Sequence, residues 1–349
     1  MLASFTSTRS LHEATRVSIL KLQNQLVVAQ KEVVTKRHAD VGVTLGGRTS
    51  ETVSLRQQFA RYTTLVTTNS FVTTRLDISQ TTLTSFSAAA VQFGSTLIAS
   101  RDTDVGPTVA QSEAKSSFLS LLDGLNSTLG GEYLLGGINT TQQPIADYYD
   151  TPTPASRQSV IDAFTTAFGV PPGDPATAGI TAAAMQTFLD GPFSDLFEEP
   201  AWSANWSTAS DTNIQSRISS TEQAETSTNA NQLAFRKLAK AYVMVADLGV
   251  ETLNKATFGA IADTAIKLSA QTVQDLAKVQ AKLGTSAARV TLANDRMTAQ
   301  NAIMSDKITA LEGVDQFEAA IRVNELALQL QTSFALTARV QNLTILNYL

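Results

Sequence analysis

The chain has 349 residues, with 26 basic and 31 acidic side chains, a formal net charge of −5 and no cysteine. That length can bury a core of ordinary size and predicts two or three domains. Disulfides, thiol catalysis and cysteine-ligated metals are excluded, and the lack of a dense basic stretch argues against nucleic acid as a partner.

Before Gly46-Gly47, apolar residues recur at helical spacing through Leu11, Ile19, Leu22, Leu26, Ala29 and Val33, with Thr15 in the same row. Val17, Leu20, Val27 and Val34 add a second apolar face, which one partner helix would not cover. Lys21, Gln23, Asn24 and Gln25 interrupt the apolar run that a Sec-type signal needs, so a secreted chain would leave by another route.

A seam at alternating spacings of three and four follows: Tyr62, Leu65, Asn69, Val72, Leu76, Ser79, Leu83, Phe86, Ala90, Phe93 and Leu97. A second runs through Val273, Leu276, Gln280, Leu283, Ala287, Val290, Asn294, Met297, Asn301, Met304, Ile308 and Leu311. These are coiled-coil heptads on long helices of matching length, expected to pair with each other. Asn69, Asn294 and Asn301 at core positions either fix register and partner or are polar residues tolerated near solvent.

Thr108 with Gln111 after Pro107 reads as a capping box opening a helix that carries Ala114, Phe118, Leu121, Leu122 and Leu125 up to Gly130-Gly131. Asn229 with Gln232 is a similar start signal for a helix through Leu238, Tyr242 and Val245. Between them the composition changes: eight of nine prolines and both tryptophans fall within 144–206, and lysine is absent between Lys115 and Lys237. Short helices near 160–168 and 181–189 and a strand pair near 214–228 are predicted there, forming an inserted α+β domain that folds independently of the seam helices.

From Ile321 onward the apolar residues Val323, Leu326, Leu328, Leu330, Phe334, Leu336, Val340, Leu343, Ile345, Leu346 and Tyr348 point in nearly every direction around a helix. Its glutamines and asparagines argue against a membrane span, so other subunits are the natural cover. Two histidines, His12 and His38, leave almost no material for a triad or a metal site, and the glycine pairs fit neither the dinucleotide nor the phosphate-loop spacing. No catalytic, cofactor or metal residues are assigned.

The fold class predicted is mainly α, a long antiparallel coiled-coil bundle built from both flanks around the small α+β insertion. The expected divisions are 1–45 and 314–349 as assembly helices, 46–139 and 229–313 as the bundle halves, and 140–228 as the insertion. Leu11, Ile19, Leu22, Leu26 and Val33, with Ile321, Leu326, Leu328, Leu330, Phe334, Leu336, Val340, Leu343, Leu346 and Leu349, form the candidate self-assembly surface. Leu65, Val72, Leu76, Leu83, Phe86 and Phe93, with Leu276, Leu283, Val290, Met297, Met304 and Ile308, form the intrachain seam.

Three stretches carry a resemblance: Gly131-Glu132-Tyr133-Leu134-Leu135-Gly136-Gly137-Ile138-Asn139-Thr140, Ala234-Phe235-Arg236-Lys237-Leu238-Ala239, and Leu343-Thr344-Ile345-Leu346-Asn347-Tyr348-Leu349. With them the chain resembles the flagellin superfamily and, within it, the hook-associated junction proteins of alphaproteobacteria. The resemblance implies an extracellular structural subunit in a ring or helical polymer with hook-side and filament-side neighbours. It also implies export through the flagellar type III apparatus and a chaperone on the C-terminal helix. Many members carry a Pro- and Asp-containing turn after the first helix, where this chain has Lys36-Arg37-His38-Ala39-Asp40-Val41-Gly42. Filament flagellin and a non-flagellar coiled-coil binding or signalling module are the alternatives.

Overall fold

The computed structural model describes the backbone of residues 8–342 and the side chains of residues 13–339. In chain order it contains α1 (Thr8–Thr35), α2 (Val41–Leu45), α3 (Thr49–Ser100), α4 (Gly106–Leu125), β1 (Thr128–Leu129) and β2 (Glu132–Tyr133). The middle adds α5 (Ala155–Phe168), α6 (Ala182–Asp190), α7 (Pro192–Asp195), α8 (Ala201–Asn205), β3 (Gln215–Arg217) and β4 (Gln223–Glu225). The return flank is α9 (Leu233–Ala246), α10 (Lys255–Glu312) and α11 (Gln316–Asn342). The fold is mainly α, as the periodicity predicts. The chain divides into two compact units, one made of residues up to Thr64 and from Met297 onward, the other of Leu65–Arg296.

In the larger unit, α3 and α10 run antiparallel, as their cross-links show. Asn69 donates to Asn294 Oδ1 at 2.7 Å, Gln80 donates to the Gln280 carbonyl at 2.9 Å, and Gln280 donates to Thr84 Oγ1 at 3.0 Å. The threonine-rich α3 has modest intrinsic propensity, and many of its hydroxyls, including Thr73, Ser79 and Thr82, bond back to the carbonyl four residues earlier. Packing therefore holds it. Leu76, Leu83, Phe86, Phe93, Leu276, Leu283 and Val290 are buried, while Leu65 and Val72 are half-buried.

The seam is more than a two-helix coil. Phe86 meets Phe235 edge-on at 5.8 Å and Phe93 meets Tyr242 at 4.9 Å, so α9 shares the face of α3. Gln111 on α4 donates to the Ala246 carbonyl of α9, and Lys237 on α9 donates to Asp275 on α10 at 2.7 Å. On α10 the buried row includes Ser286 and Ala293, with their neighbours Ala287 and Asn294 half-buried. A heptad rule written for one partner cannot anticipate a helix packed against several.

Helix starts differ from the capping boxes expected. Helix α4 begins at Gly106 with Pro107 in its first turn and no side-chain cap. A Cβ at Gly106 would lie 1.8 Å from the Ser100 carbonyl oxygen, so the turn from α3 admits only glycine. Helix α9 begins at Leu233, and Asn229 Oδ1 instead accepts from Asn231 N within the preceding turn.

The middle region contains short helices near both predicted stretches and an antiparallel pair, β3 with β4, registered Ser216 to Ala224. Its core is not independent. Trp206 stacks on Trp202 at 5.5 Å and on Tyr148 at 5.3 Å, and Phe118 of α4 contacts both Tyr148 and Trp206. The hairpin β3–β4 is fixed to the long helices by Asn69 donating to the Ile218 carbonyl, and by Arg289 to Glu222 and Lys282 to Glu225 ion pairs. Prolines mark a change of texture here rather than a separate core.

The glycine-rich stretch after α4 now has a physical role. Leu134 and Leu135 are buried, Ile138 N donates to the Thr212 carbonyl, and Ser210 N donates to the Gly136 carbonyl. Gly137 has φ +64, and a Cβ there would stand 2.3 Å from the Ser210 carbonyl oxygen. The motif is where the middle region's return segment crosses its entry segment.

Candidate self-assembly interface

The smaller unit contains α1 packed against α11, together with the ends of α3 and α10. Within it α10 and α3 are joined by Asn301 donating to Thr63 and Arg56 donating to Glu312. Met297 and Met304 are buried, and Ile308 is half-buried.

Each of α1 and α11 carries apolar residues on more than one face, so pairing covers only part of the surface. On α1, Ala29 is buried and Ile19, Leu22, Leu26 and Val33 are half-buried, forming the row turned inward. On α11, Ala319 is buried and Val323, Leu326 and Leu330 are half-buried. The remaining apolar residues face out: Val17, Leu20, Val27, Val28 and Val34 on α1, and Phe317, Ile321, Leu328, Phe334 and Leu336 on α11. Val34 is 81 % exposed and Phe317 84 %. A groove of about 670 Å³ lined by Val17, Leu20, Val28, Arg322 and Leu326 lies on this pair.

The residues predicted for self-assembly thus fall into two sets. Ile19, Leu22, Leu26, Val33, Leu326 and Leu330 belong to the intrachain row, and Ile321, Leu328, Phe334 and Leu336 to the outward face. The side chains of Leu11 and Val340 and all of Leu343, Leu346 and Leu349 lie outside the described residues. Phe317 and Val43 are exposed and were not singled out by periodicity, because each stands at a helix start, beside a linker rather than inside a repeating row.

Electrostatics concentrates at the root of the pair. Glu312, the last residue of α10, has a side chain 1 % exposed and forms ion pairs with both Arg37 and Arg56. Hydrogen bonding from Arg56, reinforced by the charges of Arg56 and Arg37, holds the Glu312 carboxyl below the usual carboxylate range although burial works the other way. Among the described residues there is no cluster of three or more His, Asp or Glu side chains suited to a metal ion, and no helix long and apolar enough to cross a membrane.

Residues 6–140 match the N-terminal helical region of bacterial flagellin, and residues 266–349 match its C-terminal helical region. No curated protein matches the chain significantly. Among solved structures, the fold is similar to that of a provisionally assigned flagellar hook-associated protein from Vibrio parahaemolyticus, with a TM-score of 0.52 and 9 % identity. That similarity covers 76 % of this chain and 97 % of the other. The two flagellin regions together span more than half of the sequence, one on each side of the middle region, and the chain belongs to the flagellin family.

Proposed function

We propose that this chain is the subunit that joins hook to filament, built into a ring or helical polymer by packing its terminal helix pair against neighbouring copies. Flagellin-family chains are structural and non-enzymatic, and they polymerise with one another in the bacterial flagellum, outside the cell. The observation that carries the assembly reading is the outward apolar face of α1 and α11. Burying one large apolar side chain contributes about 1.5 to 3 kcal/mol, so a face of several such residues supplies a substantial driving force for association.

The junction position is supported by the tail Leu343-Thr344-Ile345-Leu346-Asn347-Tyr348-Leu349 and by the fold shared with the Vibrio hook-associated protein. In this reading 1–45 and 314–349 are the assembly helices, 46–139 and 229–313 the bundle halves, and 140–228 the outward insertion. Hook-side and filament-side proteins are its neighbours. Before export through the flagellar type III apparatus, the outward face of α11 needs cover, which is the role assigned to a chaperone.

Quantitative mass spectrometry of isolated flagella tests the position. A junction subunit is present in the few copies of one short ring, whereas a chain that dominates the mass of sheared filaments is a filament flagellin.

A further inference from the structure

Tyr242 of α9 is fully buried, yet its hydroxyl has no hydrogen-bond partner among the described residues. A buried hydroxyl left unpaired is costly, so the side chain calls for a partner from outside the chain. The ring is fixed in place, since it meets Phe93 edge-on with centroids 4.9 Å apart. Burial and the charge of Glu113 raise the Tyr242 hydroxyl above its ordinary pKa, with Ser117 working the other way, so at neutral pH it keeps its proton and remains a donor.

Tyr242 forms part of the wall of a cavity of about 190 Å³ between α3, α4 and α9, and Ser117, beside its hydroxyl, lines the same cavity. Phe86 and Leu121 supply apolar walls, and the exposed Ser85 and Ser120 stand at the mouth. These walls are already formed. Phe86 is held edge-on by Phe235 and lies so close to the α4 backbone that a Cβ at Gly124 would stand 2.5 Å from its ring.

The hydrogen-bonding chemistry of the lining is one-sided. Ser85 and Ser120 donate to the Thr81 and Ser116 carbonyls, and Ser117 donates to Glu113 Oε1 at 3.4 Å, which leaves all three serine oxygens as acceptors. Tyr242 is then the donor. No charged side chain lines the cavity, so a charged ligand would be desolvated without compensation. Water could accept from Tyr242 but would also wet Phe86 and Leu121, whereas an apolar body covers them.

We propose that this cavity is a binding site for a small neutral amphiphile, one ring or a short chain in size, whose hydroxyl oxygen accepts from Tyr242 and whose hydroxyl proton is donated to Ser117. The cavity is smaller than the ~300 Å³ at which drug-sized sites begin, which sets the upper size of the ligand. The site lies wholly within the larger unit and does not rest on the assembly reading.

Phenol is the probe, and toluene, of similar shape but without the hydroxyl, is its control. In calorimetry and ligand-observed NMR on the full chain, phenol should bind saturably and toluene at least about tenfold more weakly. Tyr242→Phe keeps the ring against Phe93 and removes only the hydroxyl, so it should weaken phenol by about tenfold and abolish its advantage over toluene. Ser120→Phe, at the exposed mouth, should obstruct both compounds. Circular dichroism establishes that each variant is folded; if Tyr242→Phe is not, Ser120→Phe decides. Absence of saturable phenol binding, equal affinity for phenol and toluene, or unchanged phenol affinity in either folded variant overturns the site.

Discussion

Phe317 and Trp206 are both large aromatic side chains, yet the first is 84 % exposed on the terminal pair and the second 2 % exposed in the middle region. Around Trp206 the chain supplies all the neighbours: Trp202, Tyr148, Phe118 and Phe197 form one aromatic cluster. Around Phe317 it supplies almost none. One region completes its burial within a single chain, and the other leaves an apolar surface exposed, the surface proposed above to pack against further copies. In that reading a fold can be mostly complete and still contain its own assembly signal as unsatisfied apolar area.

Removing residues 334–349 should break this comparison most severely. Incorporation into flagella should be abolished while the unit 65–296 keeps its cooperative unfolding, read by motility and by thermal melts of the purified monomer. Normal swimming by the truncated chain would show that the outward face is not used.

Trp206→Ala attacks the opposite side. It should destabilise the larger unit by about 3 to 5 kcal/mol in denaturant titrations, because a buried aromatic leaves a cavity among rings that cannot all collapse into it. A loss below about 1 kcal/mol would mean that the cluster is loosely packed.

Asn69→Leu should cost about 1 to 3 kcal/mol, since the Ile218 carbonyl and the Asn294 side chain would lose a buried donor. A double-mutant cycle with Asn294→Leu should show coupling, and strict additivity would mean that the pair does not act as a unit.

Acid should loosen the root of the terminal pair. Since the folded-state pKa of Glu312 is lowered chiefly by hydrogen bonding from Arg56, its stabilisation is complete above the unfolded value near 4.3. It is lost as pH falls through the lower folded value. Protection of the amides at 36–40 and 313–316 against exchange, taken relative to their intrinsic rates, should fall below about pH 4.3 in the native chain, and the step should be absent in Glu312→Gln. Arg37 and Arg56 are each 43 % exposed, so solvent screens part of the effect.

The smallest effect on the monomer sharpens the contrast best. Phe317→Ser should change monomer stability by no more than about 0.5 kcal/mol, as exposed substitutions do, yet reduce incorporation into flagella. A monomer strongly destabilised by this change would place Phe317 in an intrachain core.

Much of the architecture is legible in the sequence because helical periodicity is a local signal. Leu76, Leu83 and Phe93 recur at threes and fours, and the structure buries them. The capping boxes at Thr108 and Asn229 misled for an equally local reason: the motif was present, but the chain used Pro107 to open one helix and bonded Asn229 into a turn before the other. The role of Glu312 was not legible at all, since its partners Arg37 and Arg56 lie more than 250 positions away.

The sequence by itself determined that both ends form helices with more apolar surface than one partner covers, and that the flanks carry matched seams. These follow from residue type and spacing along one chain. Only the tertiary structure decided which apolar row pairs inward and which faces out, that α9 shares the seam with α10, and that the aromatic middle region shares its core with α4. Those outcomes depend on which distant segments meet, and packing selects among partners that periodicity leaves equivalent.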